Sequence, residues 1–149
     1  MSLKTSSKYF LLIGFLLLSV GCNSSQASKV CFEEQCFAVE VMRTPEEQRK
    51  GMQHRTSMAE DEGMLFAFNY DGLHAFWMKD TLIPLDIIWI NAQGEVVFVV
   101  PNAKPCMQER CPSYKPAELA RYVLEIKGGL AEKMGISDGN IVEMDFEEK

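Results

Sequence analysis

The chain has 149 residues, 47% hydrophobic and 24% charged, with a net charge of −6, which suits one globular domain and excludes a collagen-like, coiled-coil or fully disordered protein. The first 21 residues hold Lys4 and Lys8 and no acid, so the remainder carries −8. With that balance and no dense run of Lys and Arg, a nucleic-acid partner is not expected.

The chain opens with Lys4 and Lys8 before an apolar run, Tyr9 to Val20. At roughly 12 residues the run is short for a bilayer span and matches the apolar core of a secretion signal. It ends in Leu18-Ser19-Val20-Gly21-Cys22. This resembles a bacterial lipobox, in which small residues admit the peptidase and the cysteine takes the lipid. Ser19 departs from the usual large aliphatic residue. The polar stretch Asn23 to Lys29 reads as a tether. The expected organisation is a signal peptide over 1–21, a tether over 22–29 and one domain over 30–149. The expected location is the bacterial envelope, lipid-anchored through Cys22; in a Gram-negative cell that means the outer membrane, facing the periplasm. An ordinary secretion signal is the alternative.

Four cysteines remain, in two pairs of equal spacing: Cys31 with Cys36 and Cys106 with Cys111. In an oxidising compartment this reads as two local disulfides; a four-thiolate zinc site is the competing reading. Lys29 to Phe32 and Cys36 to Met42 read as a hairpin. Thr44-Pro45-Glu46-Glu47 has the pattern of a helix start, with a capping threonine, an N1 proline and a capping-box glutamate, and the helix is expected over 45–52. Strands are expected over 63–68 and 73–78 about a turn at 69–72. Leu85 to Ile90 reads as a buried central strand, and Glu95 to Val100 as its hairpin partner across the Asn91–Gly94 turn. A proline-rich loop over 101–116 holds the second cysteine pair. Tyr122 to Ile126 reads as a strand, Gly128 to Met134 as a short helix, and Ile141 to Phe146 as a last strand. The expected fold class is therefore mainly β: a small closed or half-closed barrel of about seven strands with two short helices. No βαβ unit and no glycine-rich phosphate loop are evident.

Several segments in order resemble a family of uncharacterised bacterial and archaeal proteins, domain-of-unknown-function family 192. They are Gly63-Met64-Leu65-Phe66, then Phe76-Trp77-Met78-Lys79-Asp80-Thr81 with Ile83-Pro84-Leu85-Asp86, then Asn102-Ala103, Pro105-Cys106 and Ala120-Arg121-Tyr122-Val123-Leu124-Glu125. The resemblance implies a compact β-rich barrel with small helices and implies no established activity. Two places depart from it. Asp80 stands where the family usually resembles Asn, and Gln53-His54 interrupts a stretch that is apolar in the family.

The candidate site lies where Trp77 to Asp86 crosses one end of the barrel, bringing an aromatic wall, a cation and carboxylates together. Asp86 opens an apolar strand and needs partners. Lys79, Arg55 and Arg121 are the cationic candidates; alternatively Asp86 accepts N–H groups from the Lys79–Thr81 turn and merely shapes it. Asp80 and Thr81 complete that segment. Arg121 and Glu125 share one strand face, either as a surface pair or as part of the same cleft. His54 reads as an exposed polar residue and His74 as a core or edge residue. The nine methionines read as packing rather than copper ligands, and no metal or cofactor is expected. The function expected is a non-catalytic binding or accessory domain, monomeric, with a small polar ligand or an envelope protein as partner. Two alternatives stand: a small hydrolase using Asp86 with Lys79 or an arginine, and a structural scaffold in an envelope assembly.

Overall fold

The computed structural model describes residues 28–147; the expected leader, Cys22 and most of the tether lie outside them. Nine strands and two short helices follow in the order β1 (Lys29–Phe32), β2 (Gln35–Met42), α1 (Pro45–Lys50), β3 (Glu62–Gly72), β4 (Phe76–Trp77), β5 (Leu85–Ile90), β6 (Val96–Ala103), β7 (Ser113–Tyr114), β8 (Ala120–Lys127), α2 (Leu130–Met134) and β9 (Glu143–Asp145). Seven strands form one sheet in the order β6-β5-β8-β3-β2-β1-β9, and β4 pairs with β7 in a small second sheet. The large sheet curls into a half-barrel. Its two edges approach at one end, where Glu95 and Ile141 form an isolated antiparallel bridge. Around it Val96 N–H donates to Asn140 O at 2.9 Å and Val142 N–H to Gly94 O at 2.7 Å. The mainly β half-barrel with two short helices is the expected class.

The topology adds one feature that periodicity did not reveal. β2 and β3 pair in parallel, from Ala38 against Glu62 to Met42 against Phe66, with α1 in the crossover between them. Parallel neighbours need a long connection, and this one is mostly irregular. At six residues, none of them buried, its helix is too short to show an apolar face. β3 continues through the turn expected at 69–72, with a register shift against β8 between Ala67 and Gly72, and only Phe76–Trp77 of the next expected strand is extended. β6 runs on through Pro101 to Ala103. Pro101 lies on an edge strand where the β5–β6 register shifts, between the Ile87–Val100 and Leu85–Ala103 pairs, a place where proline is tolerated.

β5 and β8 lie inside the sheet, and both sheet faces are covered over them. Ile88, Ile90, Leu124 and Ile126 join Val30, Phe37 and Leu65 in the barrel interior. On the opposite face Leu85, Ile87, Trp89 and Val123 pack with Met52, Met64, Phe66 and Met78. Strands buried on both faces read as continuous apolar runs, which accounts for Leu-Asp-Ile-Ile-Trp-Ile, all six residues buried. The Cys31–Cys36 disulfide joins directly opposed residues of the β1–β2 hairpin.

Candidate functional site

The second face carries a cavity of about 660 Å³. Its apolar wall is aromatic: Phe66 and Phe68 come from β3, and Phe76 and Trp77 from β4. Phe76 meets Phe66 edge-on, with ring centroids 4.8 Å apart, and meets the fully buried Trp89 at 5.7 Å. The wall is therefore continuous with the core, which limits its rearrangement. Trp77 stands 56% exposed at the cavity's edge.

The opposite side comes from α1. Thr44 caps it, with the Glu47 carboxylate accepting from the Thr44 backbone N–H in return. Gln48 fastens the helix to the sheet, its Nε2 donating to Ala67 O at 3.0 Å. Gly51 ends the helix at φ 44°, where a Cβ would come within 3.2 Å of Phe66 Cζ; a residue without a side chain permits both the turn and the approach. This docking puts Arg49 and Lys50, both exposed, at the cavity rim.

Glu125 lines the cavity from β8. Its neighbours across the sheet are Met64 of β3 and Ile87 of β5. The residue is only 4% exposed, and its buried Oε2 has no hydrogen-bond partner. Burial alone pushes its pKa up to about 8, because an ionised carboxylate is disfavoured away from water. At neutral pH the group is mostly a neutral acid. Thr81, also 4% exposed, lines the same cavity.

Lys79 completes the rim, in a segment fixed from two directions. It bridges Cys106; Cys106 N–H donates to Met78 O at 3.1 Å, and Asp80 N–H to Cys106 O at 3.0 Å. The Lys79 ammonium donates to Gln108 O at 2.7 Å, inside the loop closed by the Cys106–Cys111 disulfide, and lies 3.7 Å from the Asp80 carboxylate. Asp80 has φ 55° and receives at its carbonyl the N–H of His54, itself at φ 63°. The left-handed region tolerates Asn and Asp better than most residues. The Asp80 backbone thus suits Asn or Asp alike, and the choice of Asp adds a charge beside Lys79.

Of the residues singled out in the sequence, Trp77, Lys79, Thr81 and Glu125 line this one cavity, with Asp80 beside Lys79. Asp86, Arg55 and Arg121 are not brought into it. Asp86 belongs to the other sheet face: it opposes Ile126 in register, whereas Glu125 opposes Ile87. It is fully buried, and its carboxylate accepts from the backbone N–H groups of Asn102 at 2.6 Å, Gly129 at 2.9 Å and Ala131 at 2.6 Å. These donors come from β6 and the start of α2, not from the Lys79–Thr81 turn. Arg55 pairs with Glu40 and lines an adjoining groove that shares Lys50, Gly51 and Gln53 with the cavity. Arg121 binds Asp71 at 2.8 Å rather than Glu125. His74 stacks on Phe68 with ring centroids 3.6 Å apart and has its pKa lowered by burial. Sequence reading passed over Gln48, Arg49, Lys50 and the β3 aromatics. The capping box was the one available signal for the first three, since it fixed where the helix begins.

A family model described as "Uncharacterized ACR", domain-of-unknown-function 192, matches residues 28–144. A solved structure of a protein of unknown function from Novosphingobium aromaticivorans is similar at 37% identity and a TM-score of 0.71, covering 78% of this chain and 83% of that one. A second solved structure, described as a "putative transcription regulator" from Sinorhizobium meliloti, is similar at 30% identity and a TM-score of 0.69, covering 79% and 92%. A UPF0127 protein of Thermococcus gammatolerans is 32% identical over 77 residues, 52% of this chain and 44% of that protein. This chain thus spans less than half the length of that curated relative. The match over residues 28–144 takes in every described strand but the last residue of β9, and the chain belongs to the domain-of-unknown-function 192 family.

Proposed function

We propose that this protein is a lipid-anchored envelope protein whose domain binds a small molecule in the cavity between α1, β3, β4 and β8. The observation that carries the binding reading is Glu125: a buried carboxyl with an unpartnered oxygen, lining a cavity of about 660 Å³. Leaving such an atom unsatisfied costs about 1–3 kcal/mol, and a ligand donor would recover it. A largely apolar cavity with a few convergent polar groups and a perturbed acid is the usual form of a ligand site. Binding is favoured over hydrolysis because Glu125 is the single carboxyl among the described lining residues, and Asp86 and Lys79 lie apart. The anchor reading rests on Leu18 to Cys22 and agrees with two disulfides in the domain.

The full chain in bilayer nanodiscs, screened by saturation-transfer NMR against a small-molecule fragment set with empty discs as control, tests the site. Hits that quench Trp77 fluorescence and weaken on Glu125→Gln are expected; a set with no hits, or with hits indifferent to both residues, defeats the reading. Cys22→Ala is expected to move the protein from the membrane to the soluble envelope fraction. Unchanged membrane association without lipid labelling defeats the anchor.

A further inference from the structure

The cavity has an acid at its base, aromatic rings along one wall and cations at its rim, and these make different demands on an occupant. Glu125 Oε2 is a buried acceptor without a donor. A primary ammonium supplies three N–H donors. Phe66, Phe68 and Phe76 line the same cavity, and aromatic faces stabilise a desolvated cation. At the rim stand Arg49, Lys50 and Lys79. A ligand that is only a cation must pass the Arg49 and Lys50 charges, and one that is only an anion can meet the Glu125 carboxyl only in its neutral form.

We propose that the cavity takes a zwitterionic amino compound, its primary ammonium end seated against Glu125 and its acidic end held at the rim by Arg49 and Lys50. This rests on the small-molecule reading above and adds the chemical class. The N–H donors separate a primary ammonium from a quaternary one, which satisfies no acceptor.

Seating the ammonium ionises Glu125, and the proton passes to the buffer. His74, stacked on Phe68 with its pKa lowered by burial, is the neighbouring group that also titrates, and the Glu125→Gln arm below separates its effect from that of Glu125. Its cross-strand neighbours Met64 and Ile87 are uncharged. Glu40 of β2 is paired with Arg55, Asp80 lies by Lys79, and Asp86 is on the other face. Arg49 and Lys50 face the cavity from α1, and Lys79 from the segment after β4. With the free acid titrating at about 8, affinity for an ammonium rises by close to tenfold per pH unit below that value. A ligand presenting a carboxylate to the neutral acid would show no such rise.

Calorimetric titration of the full chain in nanodiscs with 6-aminohexanoate, hexylammonium and hexanoate, in buffers of different ionisation enthalpy, tests the proposal. The expected order puts 6-aminohexanoate tightest, with about one proton released per site at pH 6 to 7 and about a tenfold gain in affinity across that unit. Glu125→Gln is expected to weaken 6-aminohexanoate by about tenfold or more and to abolish its pH dependence. Arg49→Ala, at an exposed position, is expected to weaken 6-aminohexanoate and to spare hexylammonium. Hexanoate binding as tightly as 6-aminohexanoate, binding without proton release, or no binding by 6-aminohexanoate overturns the proposal. If the fragment set binds at Trp77 and Glu125 while 6-aminohexanoate does not, the zwitterion falls and the small-molecule site stands; if neither binds, both fall.

Discussion

Below about pH 4.5 the Glu125 carboxyl is neutral in both the folded and the unfolded chain, so burying it carries no ionisation cost. Between 4.5 and about 8 the folded chain keeps a proton that the unfolded chain has lost. Stability then falls with rising pH, because the unfolded state binds fewer protons. This group's contribution is fully present below 4.5 and lost as pH rises through about 8. Urea unfolding at pH 5, 6.5 and 8 is expected to show that decline, and Glu125→Gln to flatten it and to be the more stable form at pH 8. An unchanged slope in the variant would place the pH dependence elsewhere. The alternation Arg121, Val123, Glu125 was enough to mark the residue. It could not give the residue's burial: a glutamate on an alternating strand normally faces water, and here the second face is roofed by the aromatic wall of β3 and β4. Phe66, Phe68 and Phe76 could not be told from ordinary core residues by type or spacing, since lining a cavity and filling a core require the same side chains.

At the scale of the elements, α2 is five residues long and its N-cap is Gly129, which has no side chain to cap it. Its first N–H groups would be orphaned, and Asp86, arriving from β5, accepts from Gly129 and Ala131. The third bond, from Asn102, ties the same carboxylate to β6, where Asn102 has φ 51°. One side chain thus joins a central strand, an edge strand and a helix start. Asp86→Asn exchanges an acceptor for a donor facing an N–H, and a loss of about 3 kcal/mol is expected, read as a clear drop in the melting temperature. Ligand binding at Glu125 is expected to be unchanged, because the two carboxyls lie on opposite faces of the sheet. Loss of binding in a variant that stays folded would return Asp86 to the site. That Asp86 needed partners was legible from the apolar strand around it. Which partners it has was not: Gly129 and Ala131 are 43 and 45 residues away in sequence, and such pairing is set by topology. The parallel β2–β3 pairing escaped the sequence for the same reason: the helix start at Thr44–Glu47 was legible, but nothing local says that the strands on either side of it pair in parallel.

For the molecule as a whole, the half-barrel depends on its two edges meeting. β6 and β9 are the outermost strands of the seven, and an open edge exposes unpaired backbone groups. At one end the edges approach through the Asn91–Gly94 turn before β6 and the Ser137–Asn140 turn before β9. Gly94 is the contact point: its carbonyl accepts from Val142 N–H at 2.7 Å, while Gly139 N–H donates to Val96 O at 2.8 Å. Gly94 has φ 81°, and a Cβ there would lie 2.9 Å from the Val142 carbonyl oxygen. Alanine at this position therefore meets two obstacles, a strained backbone costing about 1–3 kcal/mol and a collision with main chain that can move only by parting the two edges. Gly94→Ala is expected to lower the melting temperature by about 5–10 °C and to speed hydrogen exchange at Val96 and Val142 selectively. The Glu125 cavity draws its lining from other parts of the fold, so amides in β3 and β8 should keep their protection under conditions where the fold remains intact. Uniform loss of protection across all strands would mean that the edge contact holds the whole sheet as one cooperative unit, and unchanged exchange at Val96 and Val142 would mean that closure does not depend on Gly94.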